Sequence, residues 1–225
     1  MWHLTVAFDG CILTATHLTA TLQDPTVLYV SLHRYGGGFY PGTGAASEVG
    51  KGTGAGFNIN VAFSGSGYGD AEYLAAFDRV VMPVARQFAP ELVMISAGFD
   101  AAAGDPLGGM RLTPVGYAHM TALLGTLAAG KMVVALEGGY NLRSISRAAA
   151  GVMRVLLGGA PPPMGQHEVR SPRLGLLRPP GMRVTGASRG GLPGWPPGMG
   201  VGAAPPLLRS RRSRVYCPRT SPTSV

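Results

Sequence analysis

The chain has 225 residues, 46% of them hydrophobic, enough to bury one good-sized core. Its formal net charge of +8 is unevenly spread: residues 1–160 carry nine basic against ten acidic side chains, while residues 161–225 carry ten arginines, no lysine and the single acid Glu168. The charge therefore describes the tail and excludes a generally basic, nucleic-acid-binding character for the rest; the two cysteines, Cys11 and Cys217, exclude a disulfide framework, and no apolar run reaches the ~18 residues of a membrane-spanning helix.

In chain order, the N-terminal stretch MWHLTVAFDGCILTATHLTAT has no basic leader region and carries Asp9 inside its apolar part, so it does not read as a secretory signal. A soluble protein of a reducing, intracellular compartment is the simplest expectation. Residues 26–33, TVLYVSLH, have the β-branched and aromatic content of a strand ending at Ser31 and His33. The following RYGGGFYPGTGAASEVGKGTGAG holds too many turn signals for regular structure, and a loop of that length is more often functional than idle. A short strand, FNINVAF, follows at 57–63. Residues 70–88 then place Tyr73, Leu74, Phe77, Val80, Val81, Val84 and Phe88 at helical spacing, with Asp70 as N-cap and Pro83 expected to kink or divide the helix.

The alternation then repeats. Residues 92–96 are a short apolar strand, Thr113 and Pro114 cap and open a helix through about Ala129, residues 131–136 are a strand, and residues 142–157 are a helix ending at Gly158 and Gly159. Strands alternating with helices predict an α/β fold, a mainly parallel sheet with helices on both faces. Ligands of such sheets bind outside the carboxyl ends of the strands. Three loops would meet there, following TVLYVS, within ISAGFDAAAGDPLGG, and within LEGGYNL, and they would supply Ser31, His33, Asp100, Asp105, Glu137 and Tyr140. By themselves these residues suggest a metal or polar small-molecule site; the alternative is solvated turn acids and a packed tyrosine.

Beyond residue 160 the chain holds 13 prolines and 10 glycines, in runs such as APPPMG, GLPGWPPGMG and RSRRSR. Proline removes backbone donors and breaks both periodicities, so residues 161–225 are expected to be disordered. The arginine cluster reads as a solvated basic tail, or as a contact for nucleic acid, an acidic partner or a nuclear import receptor.

The stretches VLYVSLHRYGGGFYPGTG, ELVMISAGFDAAAGDPLGG and LEGGYNLRSIS resemble the class II (HDA1-type) members of the zinc-dependent histone deacetylase family, which have the arginase-like deacetylase fold. GGFYPGTGAASEVG and LGTLAAGKMVVALEGGYNLRSIS look most like the members of plants and green algae. The resemblance spans about residues 26–159, which implies a partial catalytic domain at 21–160 between an unmatched segment at 1–20 and the tail. It implies hydrolysis of acetyl-lysine amides of histones or other proteins, a role in chromatin and transcription regulation, corepressor partners, and a place in the nucleus or cytoplasm. In that family a Zn²⁺ held by an Asp, a His and a second Asp polarises the amide and acidifies a water. A histidine pair handles protons, and a tyrosine donates to the developing oxyanion.

Carried over residue by residue, Asp100 is the second Asp ligand of zinc and Tyr140 the oxyanion donor, with Gly138 and Gly139 letting Tyr140 approach. Tyr40 is a wall of the acyl-lysine tunnel. Leu107 lies at its rim, where an acidic residue in one relative favours polyamines, so that leucine points to acetyl-lysine in proteins. Ser31 and Leu32 match positions that hold a structural K⁺. His33 is expected to be a structural residue behind the site, His119 a surface or packed helix residue, and Asp105 and Glu137 hydrogen-bonding loop residues. The family's GxHHA and DxDxHHGNGT segments do not occur: His17 has Ala15 two residues earlier rather than an aspartate, and His3 and Asp9 are wrongly spaced. One zinc ligand of three is thus expected, in the C-terminal half of a catalytic domain, with low or no activity and one sheet edge uncovered. A non-catalytic interaction or regulatory module on the deacetylase scaffold is the alternative.

Overall fold

The computed structural model describes residues 1–8 and 23–165. Strands β1 (His3–Phe8), β2 (Val27–Tyr35), β3 (Asn58–Ser64), β4 (Leu92–Ala97) and β5 (Met132–Leu136) form one parallel sheet in the order β3-β2-β1-β4-β5. The central strand is the one that sequence patterning did not anticipate. Leu4 and Val6 of β1 lie opposite Leu28 and Val30 of β2 on one side and Val93 and Ile95 of β4 on the other. HLTVAF is too short and too mixed in polarity to show a period of its own, and its buried pairing on both sides is what makes it a strand.

Register assigns the two faces. Leu4, Val6, Leu28, Val30, Leu32, Val93 and Ile95 share a face and form a single cluster with Tyr73, Phe77, Phe88, Tyr117, Met120 and Val152 from the helices. Each such fully buried side chain contributes about 1.5–3 kcal/mol. Phe63 adds tilted ring contact with Tyr73 at 4.7 Å, and Trp2 meets Phe88 edge-on at 5.3 Å. The opposite face carries the buried Thr5, Tyr29, Ser31, His33 and Ser96. Among the described residues β3 and β5 are the outer strands, and on the β5 side Met94, Val133 and Leu136 are 40%, 49% and 64% exposed. Met94 and Val133 are in register, so this exposure lies on a face of the sheet as well as at the end of the outer strand.

The predicted helix at 70–88 is realised as α1 (Asp70–Ala76), a π-type turn at Phe77–Val81, and α2 (Met82–Phe88). Pro83 explains the wide turn, since its missing N–H and its ring cannot fit an ordinary α-turn above residue 79, and the Met82 N–H reaches back to Phe77 O instead. Asp70 is not the cap. Gly69 occupies that position, and the buried Asp70 carboxylate accepts from the Thr113 N–H at 2.8 Å and the Thr113 hydroxyl at 2.5 Å. Thr113 in turn caps α3 (Pro114–Leu124), its Oγ accepting from Val115 N and Gly116 N. The helix stops at Gly125, short of Ala129, because Ala128 and Ala129 adopt positive φ in a following 3₁₀ turn. α4 (Leu142–Leu156) is capped by Asn141 and followed by Gly158 at φ +85°. No helix among the described residues is long and apolar enough to cross a membrane. Asp9, Cys11, His17 and the basic tail from residue 166 lie outside the described residues.

Candidate functional site

Parallel strands put their carboxyl ends on one side of the sheet, so the loops after β2, β4 and β5 emerge together. Two backbone bonds join the loops after β4 and β5: Glu137 N–H donates to Ala97 O at 3.1 Å and Phe99 N–H to Gly138 O at 3.1 Å. Asp100 follows directly and is buried, 6% exposed. Among the described residues its Oδ1 has no hydrogen-bond partner, an arrangement that costs free energy unless something cationic or hydrogen-bonding meets it. The loop after β5 passes against this carboxyl, so a Cβ on Gly138 would lie 3.1 Å from Asp100 Oδ1. Gly139 sits at φ +115°, where a Cβ would come within 2.7 Å of Ile145 Cγ1 and 3.0 Å of Phe99 Cβ. A side chain at Gly139 would push the loop from α4, and one at Gly138 would press on the Asp100 carboxyl.

Tyr140 is 55% exposed, and its backbone N–H donates to Asp105 Oδ2 at 2.7 Å. The other oxygen of Asp105 accepts from Leu107 N–H at 2.8 Å and Gly108 N–H at 3.1 Å. Asn141 Nδ2 donates to Gly104 O at 2.9 Å and Ser144 Oγ to Ala103 O at 2.8 Å, so the start of α4 is sewn to the same loop. Asp105 is thus the hydrogen-bonding loop residue expected of it, and Glu137 contributes through its backbone. Leu107 and Tyr40 are 58% and 73% exposed on their loops. The structure adds Arg34, which sequence reading passed over: its guanidinium lies 4.4 Å above the Phe39 ring, next to Tyr40, and its Nη1 points at Gly108 O at 3.4 Å. An arginine near the end of a strand gives no sign in sequence that it reaches two distant loops.

Behind these loops, Ser31 and His33 are buried on the polar face of β2, and Leu32 is buried on the other. His33 Nε2 lies 2.8 Å from Gly44 O, a pure acceptor, so this nitrogen carries the proton; Nδ1 then accepts from Ser31 Oγ at 2.8 Å. Gly44, at φ +90°, has no room for a Cβ beside the His33 ring. Its N–H and that of Ala45 donate to the Glu48 carboxylate at 3.1 Å, while Glu48 O accepts from the Asn60 and Asn58 side-chain amides. His33 therefore anchors the loop that carries Tyr40, as a structural residue.

Burial holds the His33 pKa below its ordinary 6.5, against the opposing pull of the Gly44 carbonyl and the Glu48 charge. A lowered folded-state value means that the unfolded chain binds the proton more tightly. The contribution of His33 to stability is therefore complete above pH 6.5 and is lost as pH falls through that value toward the folded-state pKa. In urea denaturation between about pH 8 and about pH 5 the midpoint should fall, and His33→Gln, which keeps a donor for Gly44 O, should flatten the fall. Parallel falls in both proteins would remove His33 as the cause.

Not every histidine belongs here. His3 opens β1 at the amino end of the sheet, opposite the loops, and His119 on α3 donates from Nε2 to Pro162 O at 2.8 Å as a packed helix residue. Among the described residues no three His, Cys, Asp or Glu side chains gather as a metal site. Asp100, with its buried oxygen unpartnered among the described residues, fits one ligand position for a divalent cation.

The fold and these loops define a parallel α/β protein with a polar site at the carboxyl end of its sheet. The histone deacetylase domain matches residues 16–156. Histone deacetylase 15 of Arabidopsis thaliana is 59% identical over 140 residues, covering 62% of this chain and 25% of that protein. Histone deacetylase HDA1 of Saccharomyces cerevisiae is 54% identical over 142 residues, covering 62% of this chain and 20% of that protein. The structure of the histone deacetylase Clr3 superposes with a TM-score of 0.72 at 49% identity, covering 78% of this chain and 30% of that one. The chain belongs to the histone deacetylase family, with relatives of the class II, HDA1 type. It spans a quarter or less of the length of these two curated relatives.

Proposed function

We propose that the chain carries part of the site of a zinc-dependent protein-lysine deacetylase that hydrolyses acetyl-lysine amides of histones or other proteins. The observation that carries this reading is the buried, unpartnered Oδ1 of Asp100 beneath the Gly138–Gly139 turn that leads to Tyr140. Asp100 would hold Zn²⁺, which when bound supplies Lewis-acid polarisation of the amide carbonyl and a more acidic water. Tyr140 would donate its phenolic proton to the oxygen on which charge develops. Tyr40 and Leu107, on loops bridged by Arg34, would flank the acyl-lysine chain, and an apolar leucine at the rim suits a protein substrate. Ser31 would hold a structural K⁺ together with Leu32: with its proton given to His33, the Ser31 oxygen keeps its lone pairs for a cation.

The family's setting extends the proposal to chromatin and transcription regulation in the nucleus or cytoplasm, with corepressor proteins as partners and the arginine-rich tail as a weak nucleic-acid contact. One observation favours a second reading, a non-catalytic deacetylase-like module of low or no activity: a single candidate zinc ligand among the described residues. Zinc content and acetyl-lysine peptide turnover of the same preparation decide between them. Near-stoichiometric zinc with turnover supports the enzyme; no zinc and no turnover supports the module.

A further inference from the structure

We infer that Asp105 is a positioning residue for Tyr140, one carboxylate setting the tyrosine's backbone and the rim loop in register. The functional meaning rests on the proposed deacetylase role of Tyr140, whereas the geometry stands without it. Tyr140 is more than half exposed, so burial does not fix where its phenol points. The position of its backbone bears on it, and the Tyr140 amide donates to Asp105 Oδ2 at 2.7 Å across 35 residues of chain. A charged acceptor at that length makes a strong bond, about twice a neutral one.

The same carboxylate closes the turn at 105–108 through Leu107 N–H and Gly108 N–H. Gly108 in turn has no free space, since a Cβ there would collide with Asp100 O. Asp105 thereby ties three things into one unit: the backbone beside Asp100, the rim residue Leu107, and Tyr140. Neighbouring bonds from Asn141 to Gly104 O and from Ser144 to Ala103 O hold the start of α4 nearby, but neither acts on the Tyr140 amide. A shift of about 1 Å in a group that must meet a developing charge is enough to cost two orders of magnitude in rate.

Asp105→Asn separates the two jobs. Its single amide oxygen can still accept from Leu107 and Gly108, while its NH₂ would face the Tyr140 N–H, donor against donor. Asp105→Ala loses all three bonds. The test uses the isotopically labelled 225-residue chain and reads the amide proton shifts and hydrogen exchange of Leu107, Gly108 and Tyr140, with turnover measured on the same samples. In Asp105→Ala all three amides should exchange about tenfold faster or more; in Asp105→Asn only that of Tyr140 should. Both variants should lower kcat with KM near the wild-type value, and by similar factors, because both lose the Tyr140 bond.

An unchanged Tyr140 amide in both variants would overturn the inference, as would an undiminished kcat with that amide released. Absence of turnover in the wild type would count against the deacetylase reading alone, and the amide data would still decide whether Asp105 holds Tyr140.

Discussion

On the proposed deacetylase role, Tyr140→Phe is expected to lower acetyl-lysine turnover by about a hundred- to a thousandfold, the usual cost of removing one donor from an oxyanion site. The substitution removes a hydroxyl from a side chain that is 55% exposed and leaves the Tyr140 N–H to Asp105 bond in place. The loss should appear in kcat and kcat/KM equally, because the bond matters only as charge develops. Steady-state kinetics on protein of matched zinc content checks this. Equal turnover in the two proteins would take Tyr140 out of the chemistry; a loss confined to KM would make it a binding residue.

Gly108→Ala is expected to disturb the site through the backbone. The added methyl would collide with the carbonyl oxygen of Asp100, and neither side yields easily: Gly108 N–H is held by Asp105 Oδ1, and Asp100 is buried between the loops after β4 and β5. Overpacking of this kind costs about 1–3 kcal/mol. The denaturation midpoint should fall accordingly, and on the proposed role of Asp100 zinc retention should fall with it, since the Asp100 backbone must move. Leu107→Ala, one residue away and 58% exposed, should leave stability within about 0.5 kcal/mol. Comparable stability of Gly108→Ala and wild type would show that the loop has room the structure does not display.

Much of the architecture was legible because its signals are local. Residues 92–96 are apolar and bounded by turn residues, Thr113–Pro114 combines a capping hydroxyl with a proline that needs no N–H, and the GG before Tyr140 marks backbone that a side chain would obstruct. Reading the loop acids as a converging set depended only on the rule that parallel strands end on one side. β1 was not legible, since its six residues become a strand only between β2 and β4. Asp70 looked like a cap because it opens a helical pattern, yet its carboxylate serves Thr113, 43 residues further on.

By itself, then, the sequence determined the α/β class, the three motif loops, the family resemblance and the identity of Asp100 and Tyr140 as the residues to watch, all of them properties of short stretches and their order. Only the tertiary structure decided which strand lies at the centre, that Asp100 keeps a buried oxygen without a partner among the described residues, that Arg34 spans two loops, and that Asp105 holds the Tyr140 amide. The physical reason is range: propensity and periodicity act over a few residues, whereas burial and directional hydrogen bonds depend on groups that folding brings together from tens of residues apart.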